Sequence, residues 1–234
     1  MTRGPGARLD PFRPSRRTLQ RLHDRLLAAY GPQHWWPGDS RFEVMVGAVL
    51  TQNTAWRNVE RAIASLDAAC VLTPRAIAGL PAAELAALIR PAGYFNVKAR
   101  RLQAFCRFLV DAGGEDALAA LPTDALRRDL LAVHGIGPET ADDMLLYAFA
   151  RPVFVIDAYT RRLLRRLGMA GGEEGYETLR QGMERALGPS VPLFNELHAL
   201  IVHHAKVACA TRPRCAECCL RRACPEGKEK ALAR

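Results

Sequence analysis

The chain has 234 residues, 49% of them hydrophobic, with 33 Lys plus Arg against 24 Asp plus Glu and a formal net charge of +9. That length can bury a substantial core in one or two domains, and the basic balance makes a polyanion the first partner to consider, through counterion release along a phosphate backbone. No apolar run approaches the roughly 20 residues of a membrane span, and the N-terminus from Met1 to Gly6 lacks the apolar stretch of a secretory signal, so no membrane partner and a cytoplasmic, reducing location are expected.

In chain order, a flexible basic arm is expected over residues 1 to about 17, carried by Arg3, Arg8, Arg13, Arg16 and Arg17. Leu19, Leu22, Leu26 and Leu27 then recur at helical spacing. Pro32 and Pro37 bracket Trp35-Trp36 in a loop. Helical periods continue through Phe42, Met45, Val46 and Val49, then Val59, Ala62, Ile63 and Leu66, then Leu85, Leu88 and Ile89, then Leu102, Phe105 and Leu109. Thr73-Pro74, Leu80-Pro81 and Leu121-Pro122-Thr123-Asp124 mark helix starts. Only Pro152 to Ile156 is β-like, too short to build a sheet. An all-α architecture of roughly ten short helices follows, without a fixed-period repeat.

Gly135-Ile136-Gly137 lies between two apolar helical stretches and predicts a hairpin whose turn uses positive φ. Pro138 suits the first helical position, so the next helix would present its N–H groups toward an anion. Twenty residues after Gly137 stands Asp157, at the end of Val155-Ile156-Asp157. Of the seven cysteines, Cys70 and Cys106 sit alone in helical patterns and read as buried apolar filler. The other five crowd near the C-terminus. Cys209, Cys215, Cys218 and Cys224 have metal-ligand spacing, with Cys219 as a spare thiol, and spacing alone leaves zinc and a [4Fe-4S] cluster equally open.

The hairpin, Asp157 and the cysteine set, in that order, resemble the endonuclease III superfamily of DNA glycosylases, the helix-hairpin-helix plus Gly/Pro-rich loop plus Asp group. The resemblance covers about residues 20 to 224 and extends to Gln52-Asn53-Thr54 and to Gly93-Tyr94-Phe95-Asn96-Val97-Lys98-Ala99. It implies two helical lobes with a DNA groove between them. Residues 41 to 151 would form a multi-helix barrel domain containing the hairpin, and 1 to 40 with 152 to 234 an iron-sulfur domain built from both chain ends, with the catalytic Asp at the start of its second piece. It tips the metal toward [4Fe-4S], although the first cysteine spacing is one residue shorter than the commoner family pattern. Arg212 and Arg214 in that loop would face a phosphate.

The implied partner is double-stranded DNA with a damaged base or an abasic site, bound by a monomer that would be nucleoid-associated in a bacterium. Asp157 would stabilise the oxocarbenium-like state and accept a proton from the attacking water. Where strand-cutting members carry a Schiff-base lysine, this chain has Glu139, which cannot form an imine, so lyase activity should be weak or absent. Gly135, Ile136 and Gly137 would hold the backbone, Tyr94 would wedge into the base stack, Gln52 would fill the hole, and Lys98, Arg100 and Arg101 would meet phosphates. Trp35, Trp36 and Trp56 would form the base pocket and favour a cationic, alkylated purine by cation-π contact. Together with Trp36-Pro37, Gly47 to Thr54 and Arg90 to Gly93, they resemble the 3-methyladenine glycosylase branch. The adenine-mismatch branch is disfavoured by Gly47, which stands where those enzymes carry a glutamate, and by the end of the chain soon after the cysteine set. Oxidised pyrimidine as substrate, a catalytically weak DNA-damage-binding protein, and a zinc-containing helical regulator are the alternatives.

Overall fold

The structure, a computed structural model, describes residues 12–232, so Arg3, Arg8 and most of the expected basic arm lie outside the described residues. It contains thirteen α-helices and no strand among the described residues. The excess over the expected number comes from short helices such as Pro74–Gly79 and Glu115–Ala119. The β-like segment is extended but unpaired in any sheet, with Val153 to Ile156 buried. No described helix is long and apolar enough to cross a membrane. The chain divides into two compact units, one of Met1–Gln33 with Ile156–Arg234 and one of His34–Val155. Trp35-Trp36 therefore belongs with the hairpin unit, whereas the sequence reading assigns residues up to 40 to the other.

The unit of residues 34–155 is organised on the Arg41–Leu50 helix, whose residues from Phe42 onward are buried except for Glu43. A segment this apolar on every side has to be wrapped by other helices, here Trp56–Ala68, Phe95–Asp111, Pro138–Asp143 and the wider π turn Met144–Ala148. Ser40 caps its start by accepting from the Glu43 N–H, while the Glu43 carboxylate accepts from the Asp39 N–H. Thr73 caps Pro74–Gly79 in the same way, as its position before a proline predicts. Cys106 is buried but Cys70 is exposed, a correction to the sequence reading. Cys70 continues the Val59, Ile63, Leu66 stripe, but the helix ends at Ala68 and Cys70 turns off at φ 55°.

In the other unit, Val191–Val207 packs against Arg16–Tyr30 and Ala158–Arg166, while Arg16–Tyr30 also meets Tyr176–Leu187. Leu19, Leu22 and Leu26 supply the buried stripe of the first of these. Buried Phe12 lies directly on Gly182 of Tyr176–Leu187: a Cβ there would fall on the Phe12 ring and within 2.7 Å of its carbonyl oxygen. Backbone cannot yield as a side-chain tip can. Gly182→Ala is therefore expected to destabilise the protein by about 1–3 kcal/mol through overpacking, read as a lowered urea midpoint at unchanged slope.

Candidate functional site

The hairpin joins Thr123–Leu131 to Pro138–Asp143. Its turn needs glycine at Gly135, where φ is 87° and an added Cβ would collide with the Arg101 side chain. Gly137 is extended instead (φ −94°, ψ 177°), and a Cβ there would meet nothing, so its role is to start the next helix ahead of Pro138. Ile136, read from sequence as facing a ligand, buries its side chain in the core and anchors the turn. Asp142, fully buried, locks the two helices together by accepting from Arg127 Nε (2.7 Å) and Nη2 (3.1 Å), a bidentate pair. Glu139 is exposed in the first turn, where a carboxylate complements the helix dipole.

Gln52 is committed to this hairpin. Its amide donates to the Gly135 carbonyl (3.1 Å) and to Thr140 Oγ1 (2.9 Å), and its own oxygen accepts from Arg101 Nη1. In this conformation it buttresses the turn and does not reach out toward a ligand as the sequence reading has it. Lys98 is the clearest correction. It is 2% exposed, and its Nζ donates to the carbonyls of Leu50 (2.9 Å) and Ala92 (2.8 Å), ending one helix and joining it to the next turn. Burial, with Arg101 nearby, pushes this ammonium down to about 8. Of the neighbouring cations, Arg100 is exposed and Arg101 is half-buried. Tyr94 is 74% exposed and stands in a left-handed conformation (φ 46°) at the start of Phe95–Asp111, just after Gly93 (φ 67°).

The structure brings the three tryptophans together. Trp35, Trp36 and Trp56 have ring centroids 5.0–5.2 Å apart, and Trp36 also meets Tyr147 at 5.3 Å. Gly47 permits this approach, since a Cβ there would stand 3.1 Å from Trp36 Nε1 and 3.3 Å from Trp56. All three residues stay half-buried, but Trp36 and Trp56 pack on the core with indole N–H groups that are buried without a hydrogen-bond partner among the described residues. These rings therefore offer faces for stacking, not donors for reading a base edge.

In the other unit, Asp157 ends the buried extended segment and caps Ala158–Arg166, its Oδ1 accepting from the Thr160 N–H at 2.6 Å. Its Oδ2 stands 3.7 Å from Nε2 of His198, and both side chains are buried. Burial pushes this carboxyl up, but His198 and the Thr160 N–H outweigh it, and the net shift is below the usual carboxylate range. The sequence reading passed over His198. It shares one buried face with Phe194, Leu197 and Ile201, so periodicity alone reads it as packing.

Cys209, Cys215, Cys218 and Cys224 line one small cavity of about 20 Å³ with Leu163, Arg166 and His204. Burial and the neighbouring thiols push Cys218 up to about 11, and burial also raises Cys224. Arg166 Nη1 donates to Cys209 Sγ at 3.2 Å. Tyr30 Oη lies 2.7 Å from His204 Nδ1, and His204 Nε2 lies 3.7 Å from Cys218 Sγ. Cys219 is exposed outside the cavity. Among the described residues no three His, Cys, Asp or Glu side chains form a site for a single metal ion. Arg212 is exposed, and Arg214, also exposed, donates to the Val207 carbonyl.

Residues 46–189 match the HhH-GPD superfamily of base excision DNA repair proteins. A Methanocaldococcus jannaschii protein classed as a DNA repair glycosylase is 41% identical over 209 residues, covering 88% of this chain and 95% of the relative. Endonuclease III of Treponema pallidum is 31% identical over 210 residues, covering 88% and 92%. The 3-methyladenine DNA glycosylase of H. pylori, solved with 1,N6-ethenoadenine, superposes with TM-score 0.71 and 30% identity over 85% of this chain and 98% of that one. An endonuclease III–DNA complex shares the fold, with TM-score 0.81 at 23% identity over 94% and 99%.

Asp142→Ala strips the half-buried Arg127 of its bidentate partner within the hairpin. Denaturant unfolding is expected to show a loss of about 1–3 kcal/mol.

Proposed function

Because the chain belongs to the HhH-GPD superfamily of base excision DNA repair proteins and is a DNA glycosylase of that type, we propose that it excises a damaged base from duplex DNA by hydrolysis and leaves the strand uncut. The observation that carries this reading is Asp157, a buried carboxylate held below its usual range, followed by the absence of an amine at position 139. As the glycosidic bond breaks, positive charge develops on the sugar, and an ionised carboxylate in low dielectric stabilises it strongly. The same group accepts the proton of the attacking water, and the base leaves as water takes its place on C1′. The Glu139 carboxylate cannot attack C1′ to form an imine, so the product is an intact abasic strand.

The preferred substrate under this reading is an alkylated purine. Two observations support it: the relation to the H. pylori 3-methyladenine enzyme, and a tryptophan trio that turns two indole N–H groups inward. An alkylated purine carries positive charge, which an indole face attracts by about 1–2 kcal/mol when desolvated. Gly135 and Gly137 would hold the DNA backbone, with Tyr94 as the wedge and Arg212 as an exposed phosphate contact. A monomer is sufficient for each of these roles.

The thiol-lined cavity fits a [4Fe-4S] cluster held by Cys209, Cys215, Cys218 and Cys224. The donor set is all sulfur, and buried Arg166 would complement thiolate charge. Bound there, the cluster would tie the end of Val191–Val207 to the C-terminal loop through four Fe–S bonds. Arg166 would hold the Cys209 sulfur, and His204 would face that of Cys218.

Duplexes carrying single alkylated purines or oxidised pyrimidines are expected to release the alkylated purine, with strand breaks only after alkali. Asp157→Asn should slow release by about 100-fold or more. Full activity in that variant, or no release from any lesion, refutes the catalytic reading, and a borohydride-trapped covalent complex refutes the monofunctional one. Iron and sulfide are expected in the purified protein and should be lost in Cys215→Ala.

A further inference from the structure

We propose that His198 is a positioning residue for base excision: its imidazole faces the Asp157 oxygen left over by the helix cap and holds that oxygen, ionised, in one orientation. The inference rests on Asp157 being the catalytic carboxylate. The two oxygens of Asp157 have separate surroundings, Oδ1 being taken by the Thr160 N–H at 2.6 Å and Oδ2 facing His198 Nε2 at 3.7 Å. A gap of 3.7 Å is longer than a direct hydrogen bond, yet it brings a polar ring nitrogen to face a buried carboxylate oxygen in a low-dielectric setting, where such a group favours the ionised form. The imidazole can orient Oδ2 without consuming a lone pair that the water must use.

The placement is unusual for simple packing. His198 occupies an interior position on Val191–Val207, where leucine or isoleucine would fill space without the cost of burying a polar ring. That cost is offset where the ring has polar counterparts, and Asp157 Oδ2 is one that the geometry supplies. Several charged and titratable groups of the surrounding helices have contacts of their own. Arg161 donates to the Glu174 carbonyl, Arg162 to those of Cys209 and Ala205, and Arg166 to those of Cys209, Ala210 and Thr211. Glu196 accepts from the Gln33 N–H, and Tyr30 meets His203 and His204. Tyr176 Oη accepts from the Ile156 N–H at 3.4 Å. Of the influences acting on the Asp157 carboxyl, His198 is the first to oppose burial.

The test is a carbon-13 NMR titration of the Asp157 carboxyl, assigned with Asp157→Asn, in the wild-type protein, His198→Phe and His198→Gln. Single-turnover excision is followed over the same pH range. His198→Phe removes the polar ring at similar volume, so the carboxyl midpoint should rise by about one pH unit or more, and the acid limb of excision should move with it. His198→Gln keeps an N–H donor and should recover most of the difference. Helical circular dichroism controls for folding, and His198→Asn, too short to reach, gives the same reading where Phe is not accommodated. A purely packing role predicts an altered rate or stability with the midpoint unmoved, and that result overturns the proposal while excision itself stands. A wild-type protein that releases no base would instead bring down the reading of Asp157, and this proposal with it.

Discussion

Keeping one carboxylate ionised while nearly all of its surface is buried is the constraint on which the Asp157 unit depends. Burial alone drives a carboxyl toward its neutral form, and a neutral acid can neither stabilise a developing cation nor accept a proton. The unit meets this with backbone first. The extended segment Val153 to Ile156 is buried on its way to the helix, so Asp157 arrives where the first N–H groups of Ala158–Arg166 are unpaired. The Thr160 N–H takes one carboxylate oxygen, and Val191–Val207 delivers His198 to the other. Capping and the proposed catalytic role are then compatible uses of one side chain, because the cap draws on only one of its two oxygens.

A second constraint acts in the hairpin unit, where polar side chains, among them Gln52 and Lys98 that look outward in sequence, are tied to other groups of the same unit. Lys98 closes two carbonyls, Gln52 closes the turn at Gly135, and Arg127 closes on Asp142. Each removes an unsatisfied buried group that would otherwise cost about 1–3 kcal/mol. The hairpin can therefore present its backbone at a fixed angle, since Gln52 ties its turn and the Arg127–Asp142 pair ties its two helices. Rigid backbone donors bind an anion without first ordering a loop, which is why the stiffness of this turn matters to what it binds.

Much of this was legible in the sequence, and the failures have identifiable causes. The helical stripes at Leu19, Phe42, Val59 and Leu102 are buried as their spacing predicts, because a period of three to four residues maps directly onto one helix face. Thr73 caps, and Pro138 starts, the helices that their positions predict. Lys98 was misread because Lys98, Arg100 and Arg101 look like a charged strip. Its register was the better signal, since Lys98 stands four and seven residues before Leu102 and Phe105 and so lies on the core face. His198 has the same register problem in reverse. Its spacing to Phe194, Leu197 and Ile201 is right for a core residue, and only the fold reveals that Asp157, far away in sequence, is what it faces.

The thiol-lined cavity shows where pattern reading gives way to three-dimensional chemistry. Spacing identifies four candidate ligands and a spare, but cannot say which of Cys218 and Cys219 points inward; the fold separates them, with Cys218 on the cavity and Cys219 outside. It also supplies groups that no spacing could nominate. Arg166 comes from the helix that Asp157 caps, and it donates both to the Cys209 sulfur and to the carbonyls of Ala210 and Thr211. The shortened loop after Cys209 is thereby held by a guanidinium at its first candidate ligand, so one residue fewer need not loosen it. Because that same helix begins at Asp157 and ends at Arg166, the carboxylate and the thiol-lined cavity are the two ends of a single rigid element. Whatever orders the thiols also fixes the far end of the helix on which the Asp157 oxygens depend for their cap.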